Sequence, residues 1–265
     1  APWGYEIENG PDCWGSCYDT CGTGTQQSPI NIMESTLESI DYPPIEFIGY
    51  DEATDMLLYN DGHSAKLRLA ANAYNISGLG LEGDYVADSF HFHWGSTDTV
   101  GSEHQIDGTS APLEMHIVNY SANYTNLDEA LGNEGGVAVL GFAFHIGYGE
   151  NSYFSYVVDH LRDIQYRGSE FSLTNQRLGD YLPAWYNGQY FRYQGSLTTP
   201  GCTEGLVWTI FADTIPISES QLEMFRSTLY TEEEQSTYKH IVNHNFRPPQ
   251  ALNGRKVLVG SMMGD

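Results

Sequence analysis

Two short segments place three histidines in alternating apolar patterns, and they constrain the fold more than any other feature of the chain. In SFHFHWG (89–95), His91 and His93 are two residues apart, so in an extended strand their side chains project to one face while the intervening aromatic residues project to the other. In LEMHIV (113–118), His116 occupies the equivalent place in a second alternating segment. We therefore predict two neighbouring half-buried strands that hold the three histidines on one face.

Three imidazoles at one place indicate a particular kind of metal site. Structural zinc sites are usually closed by four protein ligands, whereas catalytic sites use three and leave a position for water. His91, His93 and His116 are therefore predicted to bind Zn²⁺ with one coordination position open. An isolated His-x-His pair is more often part of an ordinary strand core, so this prediction depends on the other motifs of the chain.

Those motifs resemble the alpha-class carbonic anhydrases in order and approximate spacing over nearly the whole chain. They are WGY (3–5), QSPIN (27–31), NDGH (60–63), FHFHWGS (90–96), GSEH (101–104), EMH (114–116), AVLG (138–141), GSLTTP (195–200) and NFRP (245–248). The resemblance implies a mainly β fold with α (α+β). We expect a single catalytic domain over residues 1–265, with a large twisted, predominantly antiparallel central sheet, surface helices and a partly knotted C-terminus.

The resemblance also implies the reaction, which is the reversible hydration of CO2 to bicarbonate and a proton by a carbonic anhydrase. Hydroxide bound to zinc would be the nucleophile. His63 matches the proton shuttle, and an ordinary histidine pKa of about 6.5 suits transfer to buffer near neutrality. Thr198 and Glu103 match a pair in which the threonine hydroxyl donates to the carboxylate, so that it accepts from the hydroxide and orients it.

Partners for the zinc ligands follow from the same resemblance. Glu114 is expected to bind the far nitrogen of His116, and the carbonyl of Asn245 to bind His93. Ser89 stands where the family has a glutamine partner for the first ligand. A serine is shorter, which predicts a bridging water or weaker zinc binding.

The rest of the site is also assigned by resemblance. Tyr5 is retained in the solvent network near His63, but Asp61 and Lys66 replace asparagines that are common there. The family's hydrophobic CO2 pocket matches Val118, Val139, Leu197, Leu206 and Trp208, and Thr198 and Thr199 would contact bicarbonate.

Two other functions remain in competition. Cupin oxygenases also place His-x-His on antiparallel strands, but their glutamate follows closely, whereas the nearest downstream candidates here are Glu103 and Glu114. A binding or structural module with this fold is the second alternative. Such relatives typically lack one of the zinc-binding histidines, and all three are present in this chain.

Four cysteines, Cys13, Cys17, Cys21 and Cys202, favour an oxidising compartment and allow three pairings. The resemblance implies Cys21 with Cys202 and leaves Cys13 with Cys17, while a cysteine metal site competes with this interpretation. The sequence begins at Ala1 with no apolar signal segment, so we expect a protein that is either cytosolic or has lost a targeting peptide. The cysteines favour a secreted, extracellular or periplasm-type location, with cell-surface association as one form of it. Sequons that predict a glycoprotein begin at Asn75, Asn119 and Asn123.

Charge is the second unusual feature of the composition. The chain has 35 acidic and 11 basic residues, a formal charge of −24, and this excludes nucleic acid as a partner. The acids are spread along the sequence, which predicts a solvated surface adapted to high salt, with cations as candidate partners. Solubility alone is the simpler explanation. No apolar run approaches the ~20 residues that span a bilayer, and the sequence does not indicate an oligomeric state.

Local patterns predict a few elements directly. Residues 155–168 carry apolar side chains at helical spacing, and a second helix is predicted to begin at Ser218, which forms a capping box with Gln221. Short apolar segments at 66–69, 136–145 and 256–259 are predicted to be strands of the central sheet.

Overall fold

The computed structural model of the protein describes residues 3–186 and 188–262, and a mixed β-sheet dominates it. The strands are β1 Asn31–Ile32, β2 Glu38–Ser39, β3 Glu46–Ile48, β4 Ala53–Asn60, β5 Ala65–Arg68, β6 Asn75–Ser77, β7 Tyr85–Trp94, β8 Gln105–Ile106, β9 Leu113–Ser121, β10 Val137–Ile146, β11 Glu170–Arg177, β12 Gln189–Ser196, β13 Glu204–Ile217 and β14 Leu258–Ser261. The predicted strand segments lie within or overlap β5, β10 and β14. The expected fold class is confirmed.

The main sheet has the order β11-β4-β5-β7-β9-β10-β13-β12-β14-β2, with β3 and β6 attached beside β7. Neighbouring strands in this order are antiparallel except β10 with β13 and β14 with β2. The C-terminal strand β14 therefore lies inside the sheet, between β12 and the N-terminal β2. A chain knotted near its C-terminus requires such a placement.

Helices are short and lie outside the sheet. They are α1 Pro11–Trp14, α2 Asp19–Thr23, α3 Leu127–Ala130, α4 Ser152–Asp159 and α5 Glu219–Thr228, with 3₁₀ turns at Glu34–Thr36, His160–Ile164 and Leu178–Tyr181. The capping box at Ser218 is present and starts α5. The helix predicted over 155–168 begins earlier, where the Asn151 side chain caps α4, and its second half is a 3₁₀ turn.

Strands β7 and β9 alternate as predicted, because side chains two residues apart share a face. The faces that carry Phe90, Phe92 and Trp94 on β7 and Leu113, Met115 and Ile117 on β9 join the large apolar core beneath α4 and α5. The opposite faces carry the histidines and a smaller apolar cluster that includes Val118, Val139 and Trp208. The sheet thus separates a packed core from the candidate site.

The cysteines differ in part from the prediction. Cys21 and Cys202 form the expected disulfide. The predicted pair of Cys13 and Cys17 is wrong, because both are free cysteines. The Cys13 thiol donates to the Ile7 carbonyl at 3.4 Å, and the Cys17 sulfur lies beside the hydroxyl of the preceding serine, so the two sulfurs are engaged by different neighbours.

The sequons also differ in accessibility. Asn123 is exposed, whereas Asn119 is fully buried and its amide donates to the carbonyls of Ile117 and Ala138. A glycan on folded Asn119 is therefore excluded by packing. None of the helices within the described part of the chain has the length and apolar character needed to cross a bilayer.

Candidate metal centre

The register between β7 and β9 brings the three histidines together. His91 lies directly opposite His116, and His93 lies opposite Glu114. One ring nitrogen from each histidine lies within 4.8 Å of the others. His93 and His116 are 2% and 1% exposed, while His91 is half-buried at the cavity wall. The three side chains predicted as ligands therefore converge from one face of two paired strands.

Their electrostatic environment keeps these imidazoles neutral, as metal binding requires. Burial is the largest cause that lowers the pKa of each ring, and it takes the pKa of His93 to about 3. The Nε2 atom of His93 is buried and has no hydrogen-bond partner among residues 3–186 and 188–262. Buried polar atoms are normally satisfied. This orphaned nitrogen fits a metal ligand, so the residues present suit a zinc ion.

A buried polar chain fixes the third histidine. Nε2 of His116 lies 2.7 Å from Oε1 of Glu114, which leaves Nδ1 for a metal. The same carboxylate oxygen lies 2.7 Å from Nδ1 of His104, whose Nε2 lies 2.6 Å from the Tyr193 hydroxyl. That hydroxyl donates to the Ser28 hydroxyl at 2.8 Å. His104, Tyr193 and Ser28 were not singled out from the sequence, although GSEH and QSPIN contain two of them.

The other two predicted ligands, His93 and His91, differ in the hydrogen bonds that fix their rings. Nδ1 of His93 lies 2.8 Å from the carbonyl oxygen of Asn245. The Asn245 side chain accepts the backbone N–H of Trp94 at 2.7 Å, so the residue is held against the strand by two contacts. Across the described ranges, no group hydrogen-bonds the ring of His91, and the shorter Ser89 does not reach it. The ring of the first ligand is therefore the least constrained of the three.

Glu103 lies beneath the site, fully buried. Burial raises the pKa of its carboxyl well above the usual value, and the nearby Glu114 acts in the same direction. The Thr198 side chain and the Arg247 backbone N–H oppose this shift, and the N–H donates to Oε1 at 2.9 Å. Oε2 has no hydrogen-bond partner in the described part of the chain and lies 3.9 Å from Nδ1 of His116, while Oε1 lies 3.4 Å from Nδ1 of His93.

A cavity of about 200 Å³ opens over the histidines. It is lined by Trp3, Tyr5, Asp61, His63, Ser64, Lys66, Ser89, His91, His93, His116, Val118, Leu127, Leu131, Val139, Leu197, Thr198, Thr199 and Trp208. Of the predicted pocket residues, Leu206 is not in this lining; it is buried in the apolar cluster that also contains Val118, Val139 and Trp208. Leu127, the first residue of α3, and Leu131, which directly follows the helix, complete the apolar wall and are not among the predicted residues.

His63 lies at the rim and stacks on Trp3, with ring centroids 3.6 Å apart and planes at 9°. Burial lowers the His63 pKa, and the Asp61 carboxylate opposes this. Asp61 also pairs with Lys66 at 2.7 Å. Trp3 in turn packs against Trp14, whose indole N–H donates to backbone carbonyls of the N-terminal segment, so α1 supports the aromatic stack.

Taken together, the fold and the site define a mainly β protein with a candidate three-histidine metal centre in a half-apolar cavity. Comparison with known proteins agrees. The family model described as eukaryotic-type carbonic anhydrase matches residues 9–261. Human carbonic anhydrase 7 is 38% identical over 96% of this chain and 96% of its own length. Mouse carbonic anhydrase 15 is 36% identical over 96% and 82%, and rabbit carbonic anhydrase 4 is 36% identical over 99% and 85%.

The chain therefore belongs to the eukaryotic-type carbonic anhydrase family, which makes it an enzyme of a zinc-dependent class that hydrates CO2. The expected enzyme class and the zinc cofactor are confirmed. The cupin alternative and the binding-module alternative are thereby set aside.

Proposed function

We propose that this protein hydrates CO2 reversibly with zinc held by His91, His93 and His116. The observation that carries the proposal is the convergence of three neutral imidazoles under a cavity whose opposite wall is apolar. Zinc, when bound, supplies a Lewis acid that makes water nucleophilic near neutral pH. We also propose that residues 1–265 form one catalytic domain, since a single sheet includes strands from β2 to β14.

The apolar wall is proposed to hold CO2 beside the metal. Val118, Val139, Leu197 and Trp208 line the cavity next to the histidines and offer no free polar group, since the Trp208 indole N–H donates to the Ser196 carbonyl. This suits a substrate without charge or dipole. Thr199 lies on the same lining and is proposed to contact bicarbonate.

Thr198 and Glu103 are proposed to orient the attacking water. If the Thr198 hydroxyl donates to the Glu103 carboxylate, it can only accept from the water, so a lone pair of the water oxygen faces CO2. The Arg247 backbone N–H holds that carboxylate in place. The Thr198 side chain opposes the rise in the Glu103 pKa that burial causes. This contact between the two side chains supports the proposed role.

His63 is proposed to carry the released proton towards solvent. It shares the cavity with the ligand histidines and also reaches the rim, where Trp3 stacks on its ring. Tyr5 lines the same space and is proposed to order the solvent between metal and shuttle.

Adaptation to high salt and an oxidising location complete the proposal. Within residues 3–186 and 188–262, Lys and Arg form ion pairs only at Lys66, Arg226 and Lys256, so most of the 35 acidic side chains have no cationic partner. Their repulsion is screened at ~1 M salt, where the Debye length is about 3 Å. The Cys21–Cys202 disulfide supports a secreted or extracellular location, and Asn123 is the exposed sequon.

Variants of the ligand set test the residue assignment. His93→Ala should lose most bound zinc and CO2 hydration, because it removes one of three metal ligands. His145→Ala is the matched control, since His145 is an exposed histidine that binds Thr214 away from the site. Full zinc content and full activity in His93→Ala would contradict the assignment.

A further inference from the structure

A second cavity, of about 580 Å³, adjoins the metal cavity at its rim. The two share Trp3, Tyr5 and His63. The far wall of the second cavity includes Glu232 and His240, which belong to the loop that follows α5. His63 therefore lies between the two cavities, with the predicted metal site on one side and this loop on the other.

The loop is held firmly in place by its backbone. Thr231 N–H donates to the His240 carbonyl at 3.0 Å and Val242 N–H to the Leu229 carbonyl at 2.8 Å, which closes the loop at its base. Arg167 N–H donates to the Glu232 carbonyl at 2.9 Å. A loop fixed at both ends keeps its side chains at a constant place beside the cavity.

Two contacts join the Glu232 and His240 side chains into one unit. The Glu232 carboxylate accepts the His240 backbone N–H at 2.7 Å, and its other oxygen lies 2.7 Å from Nδ1 of the His240 ring. An ionised carboxylate only accepts, so Nδ1 carries a proton and Nε2 of neutral His240 is free to take another. The His240 side chain is 63% exposed, so a proton taken there can leave to buffer.

We propose that the Glu232–His240 pair is a second proton acceptor, which receives the proton from His63 through water in this cavity. The His63 imidazolium loses one proton, Nε2 of His240 gains one, and buffer removes it, so the charge balances at each step. This inference rests on the proposed role of His63. A cavity of this size has room for a connected set of water molecules.

The charges that face the pair favour this direction. The hydrogen bond that the His240 ring donates to Glu232 raises the His240 pKa, and Glu6 and Glu8 act in the same sense, whereas burial lowers the His63 pKa. The other charged or titratable groups that line the cavity are Arg167, His244, Tyr5 and Tyr18, and the Lys239 ammonium lies over the Tyr166 ring. The proton therefore passes from a weaker base to a stronger one.

His240→Gln tests the inference, because glutamine keeps polarity but cannot take the proton. In weak buffer we expect kcat of the zinc enzyme to fall about twofold to tenfold, less than the ~100-fold or more that loss of a direct general base costs. The ratio kcat/KM should stay unchanged, because it reports the CO2 step, and concentrated buffer or imidazole should restore kcat. The loss should fade below the pH at which His240 is already protonated.

His160→Gln is the matched control. His160 forms a similar pair with Asp163, at 2.8 Å, but does not line the cavity shared with His63. It should leave kcat unchanged at every buffer concentration. An equal loss in both variants would overturn the inference, since it would show a general effect of exposed histidines.

His63→Ala separates this inference from the proposed function. If His63→Ala lowers kcat in weak buffer and His240→Gln does not, the second acceptor is wrong and the shuttle stands. If neither lowers kcat, the shuttle itself is wrong. Proton NMR of the zinc-free protein gives an independent measurement. His240 should titrate at higher pH than His63, and the reverse order would overturn the inference.

Discussion

Glu114→Gln should weaken zinc binding and destabilise the fold, because every contact of the Glu114 carboxylate is with a donor. Oε2 accepts the backbone N–H groups of Glu103 and His104, each at 2.8 Å. Oε1 accepts ring N–H groups of His104 and His116, each at 2.7 Å. A carboxylate presents acceptors alone, whereas a glutamine amide presents one oxygen and one NH2 group. In either orientation of the amide, donors face the NH2 group.

Both orientations have a cost that follows from these contacts. If the NH2 group faces the two backbone N–H groups, two buried donors lose their acceptor at about 1–3 kcal/mol each, or about 2–6 kcal/mol in the free energy of unfolding. If it faces the rings, His116 must accept through Nε2 and carry its proton on Nδ1. A protonated Nδ1 cannot bind a metal.

Chelator competition measures the zinc Kd, and denaturant unfolding of the zinc-free protein measures stability. Loss of such a partner typically weakens metal binding about 10- to 100-fold, and carbonic anhydrases are among the proteins in which this was measured. That change in the zinc Kd corresponds to about 1.4–2.8 kcal/mol of binding free energy. Glu204→Gln is the control. Its carboxylate accepts from Gln26 and Gln27 away from the metal, so the zinc Kd should not change. An unchanged Kd and unchanged unfolding of Glu114→Gln would refute the reasoning.

Three further predictions concern other parts of the molecule. Ser89→Gln should give the first ligand a partner and tighten zinc binding by about tenfold in the same competition, and equal affinity would show that the missing partner is unimportant. Removing the Cys21–Cys202 disulfide, which closes a separation of 181 residues, should lower stability by about 5 kcal/mol by chain entropy, and an unchanged denaturation midpoint would contradict this. Asp61→Asn should lower the His63 pKa measured by NMR, because the carboxylate favours the imidazolium against burial; a rise would contradict it.

Local patterns in the sequence predict the parts of the fold that depend on neighbours along the chain. The alternation in β7 and β9 places His91, His93 and His116 on one face because strand period is a property of each strand. The capping box at Ser218 is equally local, and it starts α5. The helix predicted over 155–168 is only partly right, since apolar spacing does not distinguish an α-helix from a 3₁₀ turn.

Contacts between distant segments could not be predicted in this way. Tyr193 reaches His104 across 89 residues and Ser28 across 165, and the Arg247 N–H reaches Glu103 across 144. Residues so far apart in the sequence come into contact only in the folded chain. The motifs that resemble the family contain several of these residues, but spacing alone assigns them no partner.

The wrong pairing of Cys13 with Cys17 comes from the resemblance, which implies Cys21 with Cys202 and leaves these two cysteines for each other. Both are free cysteines, and their sulfurs contact different neighbours. The place of Leu206 on the CO2 pocket stays a prediction, because the side chain belongs to the apolar cluster of Val118, Val139 and Trp208 but is not among the residues that line the cavity. A resemblance in sequence assigns a residue to a region of the fold and does not fix the neighbours that its side chain contacts.

CO2 hydration by the purified protein, before and after removal of zinc and after its restoration, is the first measurement to make, in dilute buffer and in molar sodium chloride. Activity should disappear with zinc, return with zinc, and persist in molar salt, because the acidic surface is screened there. Absence of hydration in protein that contains zinc at the histidine site would contradict the proposed function. Loss of activity in molar salt alone would contradict the salt adaptation.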